Sequence, residues 1–274
     1  MNSIFISGAA AGIGRATALA FLKQGWLVGA YDINSEALSQ LQRDIRDASG
    51  AAPANTEYPH DLDRLIVGSL DVTNETSWRE ALADFAQHTN GQLNLLFNNA
   101  GVLCSGDFTN TPLRTHQRLF AINVQGVMQG CYLAHPYLAA AAQASPGHAR
   151  VINMSSASAI YGQPSLASYA ASKFAVRGLT EALELEWEPL GIQVMDIMPL
   201  FVRTDMVTNM QANSITRLGV RLNADDIAAM VLRLSQYRGN RVHWPVGRQA
   251  RLMCTLSQFT PNWLARLSNR WITR

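Results

Sequence analysis

The stretch that decides the fold is SIFISGAAAGIG, residues 3–14, where a run of apolar residues passes directly into a glycine-rich turn. The run Ser3–Ser7 has the length and composition of a buried strand, and helical periodicity follows it over Ile13–Lys23. Glycines in the spacing Gly-x-x-x-Gly-x-Gly allow backbone amides to approach a pyrophosphate at the positive end of that helix. The turn therefore predicts a nucleotide site with contacts from Gly8, Gly12, Ile13 and Gly14.

Strand and helix signals alternate along the rest of the chain. The strands are apolar almost throughout, so we expect helices to cover both faces of a parallel sheet in a doubly wound α/β fold. The further strands are predicted at Leu27–Tyr31, Leu65–Leu70, Leu93–Asn98, Arg150–Met154, Val194–Met198 and Arg241–Val246. The further helices are predicted at Glu36–Arg46, Trp78–Gln87, Leu113–Leu138, Tyr169–Trp187 and Asp225–Tyr237. Ser49–Arg64 is predicted to be a surface loop, and Thr204–Asn223 a lid over the site.

Composition and charge exclude several classes of protein. The chain has 274 residues, 48% of them hydrophobic, which suffices for one large domain with a buried core and argues against disorder. Its net charge of +2, from 22 basic and 20 acidic residues, gives no indication of nucleic-acid binding. We expect no secretory signal, no membrane-spanning segment and no metal site. The widely spaced Cys104, Cys131 and Cys254 are typical of free thiols in a reducing compartment, so we expect a cytoplasmic protein.

Asp32 ends the second predicted strand, 18 residues after Gly14. An acidic side chain at that position can accept hydrogen bonds from the 2′-hydroxyl of an adenosine ribose and would repel a 2′-phosphate. Ala11 in the glycine turn offers no positive charge to hold such a phosphate. Both features favour NAD over NADP as the cofactor. The alternative is that Asp32 only caps a turn or the helix that follows it.

Polar residues also follow the third and fourth predicted strands. Asp71-Val72 comes after the third strand, and Asn98-Asn99-Ala100-Gly101 comes after the fourth. Open α/β sheets bind ligands at the carboxyl ends of their strands. Taken singly, each stretch is an ordinary strand-end turn. By their place at these strand ends, the predicted cofactor contacts are Asp71, Val72, Asn99, Ala100 and Gly101.

Tyr169 and Lys173 lie four residues apart in a predicted helix, so their side chains share one face, one turn apart. An ammonium beside a phenol favours the phenolate and draws its pKa, normally about 10, toward neutrality. A phenol tuned in this way can take a proton from an alcohol or return one to a carbonyl. The spacing alone is weak evidence, because surface pairs at i and i+4 are common.

Taken together, these motifs resemble the short-chain dehydrogenase/reductase family over roughly residues 3–246. The resemblance implies a single Rossmann-type domain with a seven-stranded parallel sheet flanked by helices. It also implies hydride transfer between a nicotinamide and an alcohol or carbonyl carbon. Ser156 precedes Tyr169 by thirteen positions, as the family pattern requires. The matching positions are Gly8, Gly12, Gly14, Asn98–Gly101, Asn123, Ser156, Tyr169 and Lys173.

The resemblance implies a role for each of four residues. Tyr169 is implied to be the general acid/base, and Ser156 to hydrogen-bond the substrate oxygen and stabilise its developing charge. Lys173 is implied to lower the pKa of Tyr169 and to hold the nicotinamide ribose, so that Tyr169 and Lys173 are also cofactor contacts. Asn123 is implied to position a water that connects Lys173 to solvent.

The segment Pro199–Asp205 matches the one that closes on the nicotinamide in this family. The resemblance implies cofactor contacts from the backbone of Val202 and from the hydroxyl of Thr204. Where the family usually has glycine after the proline, this chain has Leu200. Leu200 predicts a changed backbone path or narrower access beside the nicotinamide, with an apolar side chain near the substrate.

Positions next to these motifs predict a mostly apolar substrate pocket. We therefore expect a hydrophobic alcohol or ketone, steroid-like, retinoid-like or long-chain, although the same residues could equally belong to the core. The predicted lining is Val102, Leu103, Ala157, Tyr161 and Met206. Two alternatives stay open, an NADPH-linked carbonyl reductase and a non-catalytic nucleotide-sensing protein of the same fold.

Residues 248–274 are predicted to form a basic helical extension behind a catalytic domain of residues 1–247. From Ile227 to the end the sequence has eight arginines and neither Asp nor Glu. Such a helix can lie on an anionic membrane surface, or it can pack on its own domain or on a partner subunit. Homodimers or homotetramers are implied by the family, through Leu113–Leu138 and Tyr169–Trp187. The apolar positions at helical spacing in the extension are Trp263, Leu264, Leu267 and Trp271.

Overall fold

The polypeptide forms one sheet of parallel strands in a computed structural model that describes residues 1–50, 62–204, 219–261, 263, 267 and 270, with the backbone alone at 48–50 and 258. The strands are β1 (Ser3–Ser7), β2 (Leu27–Asp32), β3 (Leu65–Ser69), β4 (Leu95–Asn98), β5 (Ala149–Met154), β6 (Ile192–Pro199) and β7 (His243–Val246). Their order in the sheet is β3-β2-β1-β4-β5-β6-β7. The predicted doubly wound, seven-stranded parallel sheet is therefore confirmed.

Helices connect the strands and cover both faces of the sheet. The segment Leu113–Leu138, predicted as one helix, is two α-helices joined by a π-helical turn at Ala121–Gln125. The α-helices are α1 (Gly12–Lys23), α2 (Ser35–Gly50), α3 (Glu75–His88), α4 (Leu113–Phe120), α5 (Gly126–Ala144), α6 (Ala167–Trp187), α7 (Ala224–Leu234) and α8 (Arg248–Phe259). Short 3-10 turns lie at Leu62–Arg64, Ala157–Ala159 and Glu188–Leu190.

Two strands begin later than predicted, because the residues before them make other contacts. The backbone amide of Leu93 donates to the carbonyl of Tyr137 on α5 at 3.0 Å rather than to a strand, so β4 begins at Leu95. The carbonyl of Arg241 accepts from the indole nitrogen of Trp244 at 3.0 Å, and β7 begins only at His243.

Each face of the sheet has its own hydrophobic core, as the alternating direction of strand side chains requires. On one face Ile4 and Ile6 of β1 pack with residues of α1, α2 and α7. On the other face Phe5 packs with residues of α3, α5 and α6, and its ring stacks on Tyr31 with centroids 4.4 Å apart. Both cores are continuous across the sheet, so the strand ends are held in fixed positions.

The strand order reverses at β1, which pairs with β2 on one side and β4 on the other. The chain leaves β1 and β4 toward opposite faces, so a crevice opens at the carboxyl ends of these two strands. The glycine turn after β1 and the segment Asn98–Gly101 after β4 meet at this crevice. The fold thus brings together motifs that are about ninety positions apart in the sequence.

Several predicted features lie outside the described residues. The predicted loop Ser49–Arg64 and the predicted lid Thr204–Asn223 are described only near their ends. Met206, Leu264 and Trp271 are not among the described positions either. Within the described part of the chain, no helix is both long and apolar enough to cross a bilayer.

Candidate active site

The glycine turn lies against the chain that follows β4. The two segments fit closely because glycine has no side chain. A β-carbon at Gly14 would overlap the carbonyl oxygen of Gly8. A β-carbon at Gly8 would come within 2.8 Å of the Cα of Ala100, and Gly8 also has a φ of +70°. Only glycine at these two positions allows the turn to close with its amides facing the crevice.

Ser7 and Asn99 fasten the two turns together. The side-chain amide of Asn99 donates to the carbonyls of Ser7 and Gly8 at 3.1 and 2.9 Å. The Ser7 hydroxyl oxygen accepts from the backbone amides of Asn99 and Ala100, both at 3.2 Å. Asn99 and Ala100 therefore shape the crevice wall as well as lining it.

Asp32 stands at the end of β2 and lines the same crevice. One carboxylate oxygen accepts from the amide of Ala10 at 3.0 Å, and the other accepts from the amide of Asn34 at 2.9 Å. Each oxygen keeps a second lone pair for a ligand hydroxyl. Asp32 can therefore cap the turn and bind a ribose hydroxyl at the same time.

The predicted contacts after β3 do not line the crevice. The carboxylate of Asp71 accepts from the amide and hydroxyl of Thr73 at 2.9 and 2.7 Å. Val72 is buried, and its carbonyl accepts from the Trp78 indole at 3.1 Å. These bonds hold the turn before α3, and cofactor contacts from Asp71 and Val72 stay a prediction.

A cavity of about 340 Å³ fills the crevice from the glycine turn to the face of α6. Val102 and Leu103 line it as predicted, whereas Ala157 and Tyr161 do not. Ala157 is only 1% exposed and belongs to the interior. The wall comprises Gly8, Ala11, Gly12, Ile13, Asp32, Asn99, Ala100, Gly101, Val102, Leu103, Met154, Ser155, Ser156, Ser158, Leu166, Tyr169, Lys173, Pro199, Leu200, Phe201, Val202 and Thr204.

Ser156, Tyr169 and Lys173 come together at the inner end of this cavity. Ser156 follows β5, accepts from the amide of Ser158 at 3.1 Å, and hydrogen-bonds the Tyr169 phenol. Tyr169 and Lys173 lie one turn apart on α6, with the lysine nitrogen 5.6 Å from the centre of the tyrosine ring. One hydroxyl, one phenol and one ammonium therefore face the same space.

Burial dominates the acid–base behaviour of Tyr169. It raises the pKa of the phenol above its ordinary value, and the hydrogen bond with Ser156 lowers the pKa by less. The pKa of Tyr169 is therefore raised where a fall toward neutrality was expected. The Lys173 ammonium lies 5.6 Å from the centre of the Tyr169 ring, and its effect on the phenol stays a prediction.

Lys173 is 4% exposed, and its ammonium donates to the carbonyl of Met154 at 2.7 Å. Burial lowers the pKa of Lys173 to about 8, and the negative charge of Asp196 opposes that fall. Near neutral pH the side chain is thus a cation held close to its titration point. It can still donate two hydrogen bonds to a ligand, since an ammonium has three donors.

Asn123 lies in the π-helical turn and is fully buried. Its side chain accepts from the amide of Val102 at 2.8 Å and donates to the carbonyl of Val102 at 2.9 Å and to Ser172 at 3.2 Å. It does not reach the cavity wall. Gly101 separates it from Lys173, since a β-carbon there would be 3.3 Å from the Asn123 oxygen and 3.9 Å from the lysine nitrogen.

The chain after β6 closes the cavity on its far side. Leu200 lines the cavity and is half-buried, and its place beside the substrate stays a prediction. Val202 pairs with Leu222 in an isolated bridge, and the amide of Arg203 donates to Leu222 at 2.8 Å. This pairing fixes Val202 against the cavity, and the Thr204 hydroxyl donates to the Val202 carbonyl at 3.4 Å.

The sequence analysis did not predict the charged cluster formed by Asp196, His243 and Glu181. Asp196 on β6 is fully buried and accepts from His243 Nδ1 at 2.9 Å, while His243 Nε2 bonds Glu181 of α6 at 2.7 Å. The two carboxylates raise the pKa of His243 against the effect of its burial. One acidic residue inside the apolar run Val194–Met198 was the signal, because a buried charge needs a partner.

Sequence comparisons relate the chain to known dehydrogenases. A family model described as short chain dehydrogenase matches residues 2–214. A cyclohexanol dehydrogenase of Acinetobacter sp. (strain SE19) is 30% identical over 219 residues, which cover 78% of each protein. A 3-alpha-(or 20-beta)-hydroxysteroid dehydrogenase of Mycobacterium tuberculosis (strain ATCC 25618 / H37Rv) is 33% identical over 201 residues, covering 73% of this chain and 69% of that protein.

Solved structures share the fold at lower sequence identity. A short-chain dehydrogenase from Streptomyces avermitilis superposes with a TM-score of 0.77 at 25% identity, covering 97% of this chain and 94% of that one. A 3-ketoacyl-(acyl-carrier-protein) reductase from Brucella melitensis, complexed with NADH, gives 0.74 at 23% identity, covering 89% and 96%. ElxO with NADP bound gives 0.74 at 21% identity, covering 89% and 96%.

Proposed function

The chain belongs to the short-chain dehydrogenase family of oxidoreductases, and from that membership we propose that it transfers a hydride between NAD(H) and the carbon of an apolar alcohol or ketone. The observation that carries the proposal is the meeting of Ser156, Tyr169 and Lys173 at one end of a cavity whose other end is the glycine turn. A cavity with these two ends suits a dinucleotide with a substrate beyond it. When bound, the nicotinamide accepts or supplies the hydride.

Tyr169 moves the proton in this proposal. During oxidation its phenolate takes the proton of the substrate hydroxyl, and during reduction its phenol returns one to the carbonyl oxygen. Ser156 donates a hydrogen bond to the same oxygen, which stabilises charge that develops there. The hydroxyl can do so because its position is fixed by the amide of Ser158.

Lys173 supplies the positive charge in the buried end of the cavity. Its pKa of about 8 keeps most of the side chain protonated at neutral pH. We propose that it holds a ribose hydroxyl of the cofactor and favours the phenolate of Tyr169 through space. Asn123 fixes Val102 from behind, so its part is to hold the wall beside Lys173.

The glycine turn and Asp32 would hold the adenosine half of the cofactor. The missing side chains at Gly8 and Gly14 leave the turn amides open toward the crevice, which suits a pyrophosphate. Asp32 can accept from a ribose 2′-hydroxyl and would repel a 2′-phosphate, so we favour NAD. Equilibrium titration with NAD and NADP tests this preference, and tighter binding of NADP would contradict it.

Replacing Tyr169 tests the reaction itself. We expect Tyr169→Phe to lower turnover by about 10²–10⁴-fold, because general acid–base catalysis is lost. Binding of NAD should change little, because the ring that lines the cavity remains. Tyr161→Phe is the matched control, since Tyr161 does not line the cavity. Equal turnover in Tyr169→Phe and the parent protein would refute the mechanism.

The apolar end of the cavity supports an apolar substrate. Val102, Leu103, Leu166, Leu200 and Phe201 all line it. The two relatives above are named for cyclohexanol and for hydroxysteroids, which are cyclic alcohols. We propose a cyclic or long-chain secondary alcohol, or the matching ketone. A screen of such alcohols and ketones, followed by nicotinamide absorbance, tests the class, and activity confined to small polar alcohols would overturn it.

We also propose that the protein is a cytoplasmic homodimer or homotetramer. Free cysteines at 104, 131 and 254 support a reducing compartment. Apolar side chains are exposed on the helices that the family commonly pairs between subunits. Light scattering tests the assembly, and a monomer at working concentration would contradict it. The exposed side chains are Leu113, Phe120, Met128, Tyr132, Phe174 and Leu185.

Helix α8 supports a contact with a membrane surface. At about 100° per residue its exposed apolar side chains fall on one narrow face, opposite the fully buried Ala250. Arg248 and Arg251 stand near that face, and the last 48 residues carry no acidic side chain. A second copy would bring like charges together, so an anionic lipid surface is the favoured partner. The apolar face, named the α8 stripe, comprises Leu252, Leu256 and Phe259.

Vesicle binding tests this proposal. The full chain should sediment with phosphatidylglycerol-containing vesicles and less with phosphatidylcholine vesicles, and salt should weaken the interaction. Leu256→Ser with Phe259→Ser should lower vesicle binding at least tenfold. Leu190→Ser, which changes another exposed leucine, is the control. The membrane contact would be rejected if the double variant sediments with vesicles as the parent protein does. It would also be rejected if the double variant loses subunit association and keeps vesicle binding.

A further inference from the structure

A second cavity, of about 170 Å³, opens at the amino-terminal edge of the sheet, opposite the candidate active site. It lies where β1, β2, β4 and β5 begin and where the chain leaves α7. None of its lining residues is acidic, and two of them are arginines. The lining comprises Asn2, Trp26, Asn94, His148, Arg150, Ser235, Gln236 and Arg238.

Arg150 carries a buried charge that the described chain does not balance. The residue is 3% exposed. One terminal nitrogen donates to the carbonyl of Tyr237 at 3.0 Å, but the buried Nε has no partner among the described residues. Burial and the neighbouring Arg238 lower the pKa of Arg150 to about 10. An isolated buried cation is destabilising, and a bound anion would offset that cost.

Arg238 adds a second guanidinium at the exposed rim of the cavity. Its Nη2 lies 3.0 Å from Nε2 of His148. A guanidinium can only donate, so the imidazole nitrogen accepts and its tautomer carries hydrogen on Nδ1. His148 therefore orients Arg238 over the cavity without cancelling its charge. Two like charges are held toward one small space that contains no carboxylate of the described chain.

From this geometry we propose that the cavity binds a small oxyanion, a phosphate or carboxylate group, between Arg150 and Arg238. The Nε–H and one Nη–H of a guanidinium form the flat edge that such groups engage with two parallel hydrogen bonds. Nε of Arg150 has no partner among the described residues, and the arginine lines the cavity. The hydroxyl of Ser235 is committed to the carbonyl of Leu232 at 2.8 Å, which leaves the arginines as the principal donors.

A purely structural role would leave Arg150 less well accounted for. Its single described side-chain hydrogen bond, to Tyr237, needs one donor, which a neutral amide could supply. The start of β5 is already fixed by a hydrogen bond from the backbone amide of Arg150 to the Asn94 carbonyl at 2.8 Å. A bound anion would account for the remaining donors and the positive charge of the Arg150 guanidinium. This site is separate from the glycine turn and does not depend on the proposed hydride transfer.

Thermal unfolding of the full chain with inorganic phosphate tests the proposal. At about ten times the dissociation constant, phosphate should raise the unfolding midpoint by about 3 °C over potassium chloride at equal ionic strength. Acetate forms a second arm, because a response to acetate alone assigns a carboxylate ligand and a response to phosphate alone assigns a phosphate. A wild-type protein that responds to neither anion overturns the proposal.

Variants separate this site from the anion-binding glycine turn. Arg238→Gln should weaken the phosphate response about tenfold, because one of two charge-assisted contacts is lost. Arg150→Gln should abolish it. Arg43→Gln, on the exposed surface of α2, is the control and should keep the full response. Arg238 is exposed, so its variant remains informative if Arg150→Gln does not fold. A response that survives Arg238→Gln undiminished places the anion elsewhere and refutes the inference.

Discussion

Lys173 shows at the residue scale how a functional position works against stability. Its ammonium is buried with one described hydrogen bond, to the Met154 carbonyl. Burial lowers its pKa from 10.5 to about 8, so the folded protein disfavours the charged form that the proposed chemistry uses. Under the proposed function, such a side chain is kept for the cation it places beside Tyr169 and not because it stabilises the fold.

Lys173→Met should therefore stabilise the protein while removing its activity. We expect a gain of about 1–2 kcal/mol at pH 7, since the lost hydrogen bond offsets part of the relieved desolvation. The folded pKa lies below the unfolded one, so the parent protein recovers stability as pH rises from about 8 toward 10.5. The advantage of the variant should fade over the same range. Urea unfolding at pH 7 and pH 10 measures it, and a variant that is less stable at both would contradict the account.

At the scale of elements, Asp196, His243 and Glu181 tie β6, β7 and α6 together. Replacing His243 with leucine leaves Asp196 buried without its partner, which should cost about 3 kcal/mol. Adding Asp196→Asn to that variant should restore much of the loss, because the unpaired charge is gone. Glu181→Gln, at a half-exposed side chain, should cost no more than about 1 kcal/mol. Equilibrium unfolding of the four proteins checks these values. A double variant as unstable as His243→Leu would show that the unpaired charge of Asp196 is not what destabilises the single variant.

The same pair makes stability depend on pH. The folded pKa values of His243 and Asp196 both lie above their ordinary values. A raised folded pKa gives stability that is complete below the unfolded pKa and is lost as pH rises through the folded one. The contribution of His243 should thus be complete below about pH 6.5 and decline above it. Unfolding midpoints of wild type and of the His243→Leu, Asp196→Asn double variant, which has neither titrating group, should converge as pH rises across pH 5–9, and parallel curves would count against this linkage.

Helix packing gives a matched pair of glycine substitutions. A β-carbon at Gly130 on α5 would overlap the Asn98 oxygen and come within 2.8 Å of Trp78, so Gly130→Ala should cost about 2–3 kcal/mol. Gly178 on α6 has no atom within 4 Å of such a β-carbon. Gly178→Ala should stabilise by about 0.5–1 kcal/mol, because alanine favours helix. Denaturant midpoints of both variants test the contrast, which fails if their effects have the same sign.

For the whole molecule, the order and type of the elements followed from sequence because apolar runs and helical periodicity are local signals. The sequence predicted the candidate active site less completely. The Tyr169–Lys173 spacing predicted which side chains meet, but the pKa of Tyr169 depends on burial, which no spacing encodes. Asp196 pairs with His243 across 47 positions, and Arg150 faces Arg238 across 88, so only the folded sheet brings these groups together.

The predicted division at residue 247 is also a statement about the whole molecule. A chain ending at Gly247 should keep the sheet and its NAD binding, because the crevice residues all precede that point. We expect its unfolding midpoint to fall by a few degrees, since Ala250 and its neighbours on α8 cover part of β7. Calorimetry and NAD titration check this. Loss of nucleotide binding in the shortened chain would show that the extension belongs to the catalytic domain.

The central place of β1 in the sheet has a consequence for biosynthesis. A ribosome delivers β1, β2 and β3 first, and these can pair as one half of the sheet. The other side of β1 must then wait for β4, which begins at Leu95, 26 residues after β3 ends. During that interval one edge of β1 has no partner strand, and unpaired strand edges can pair with other chains. Translation speed through residues 70–98 should therefore govern how much of this protein reaches its native state in a cell.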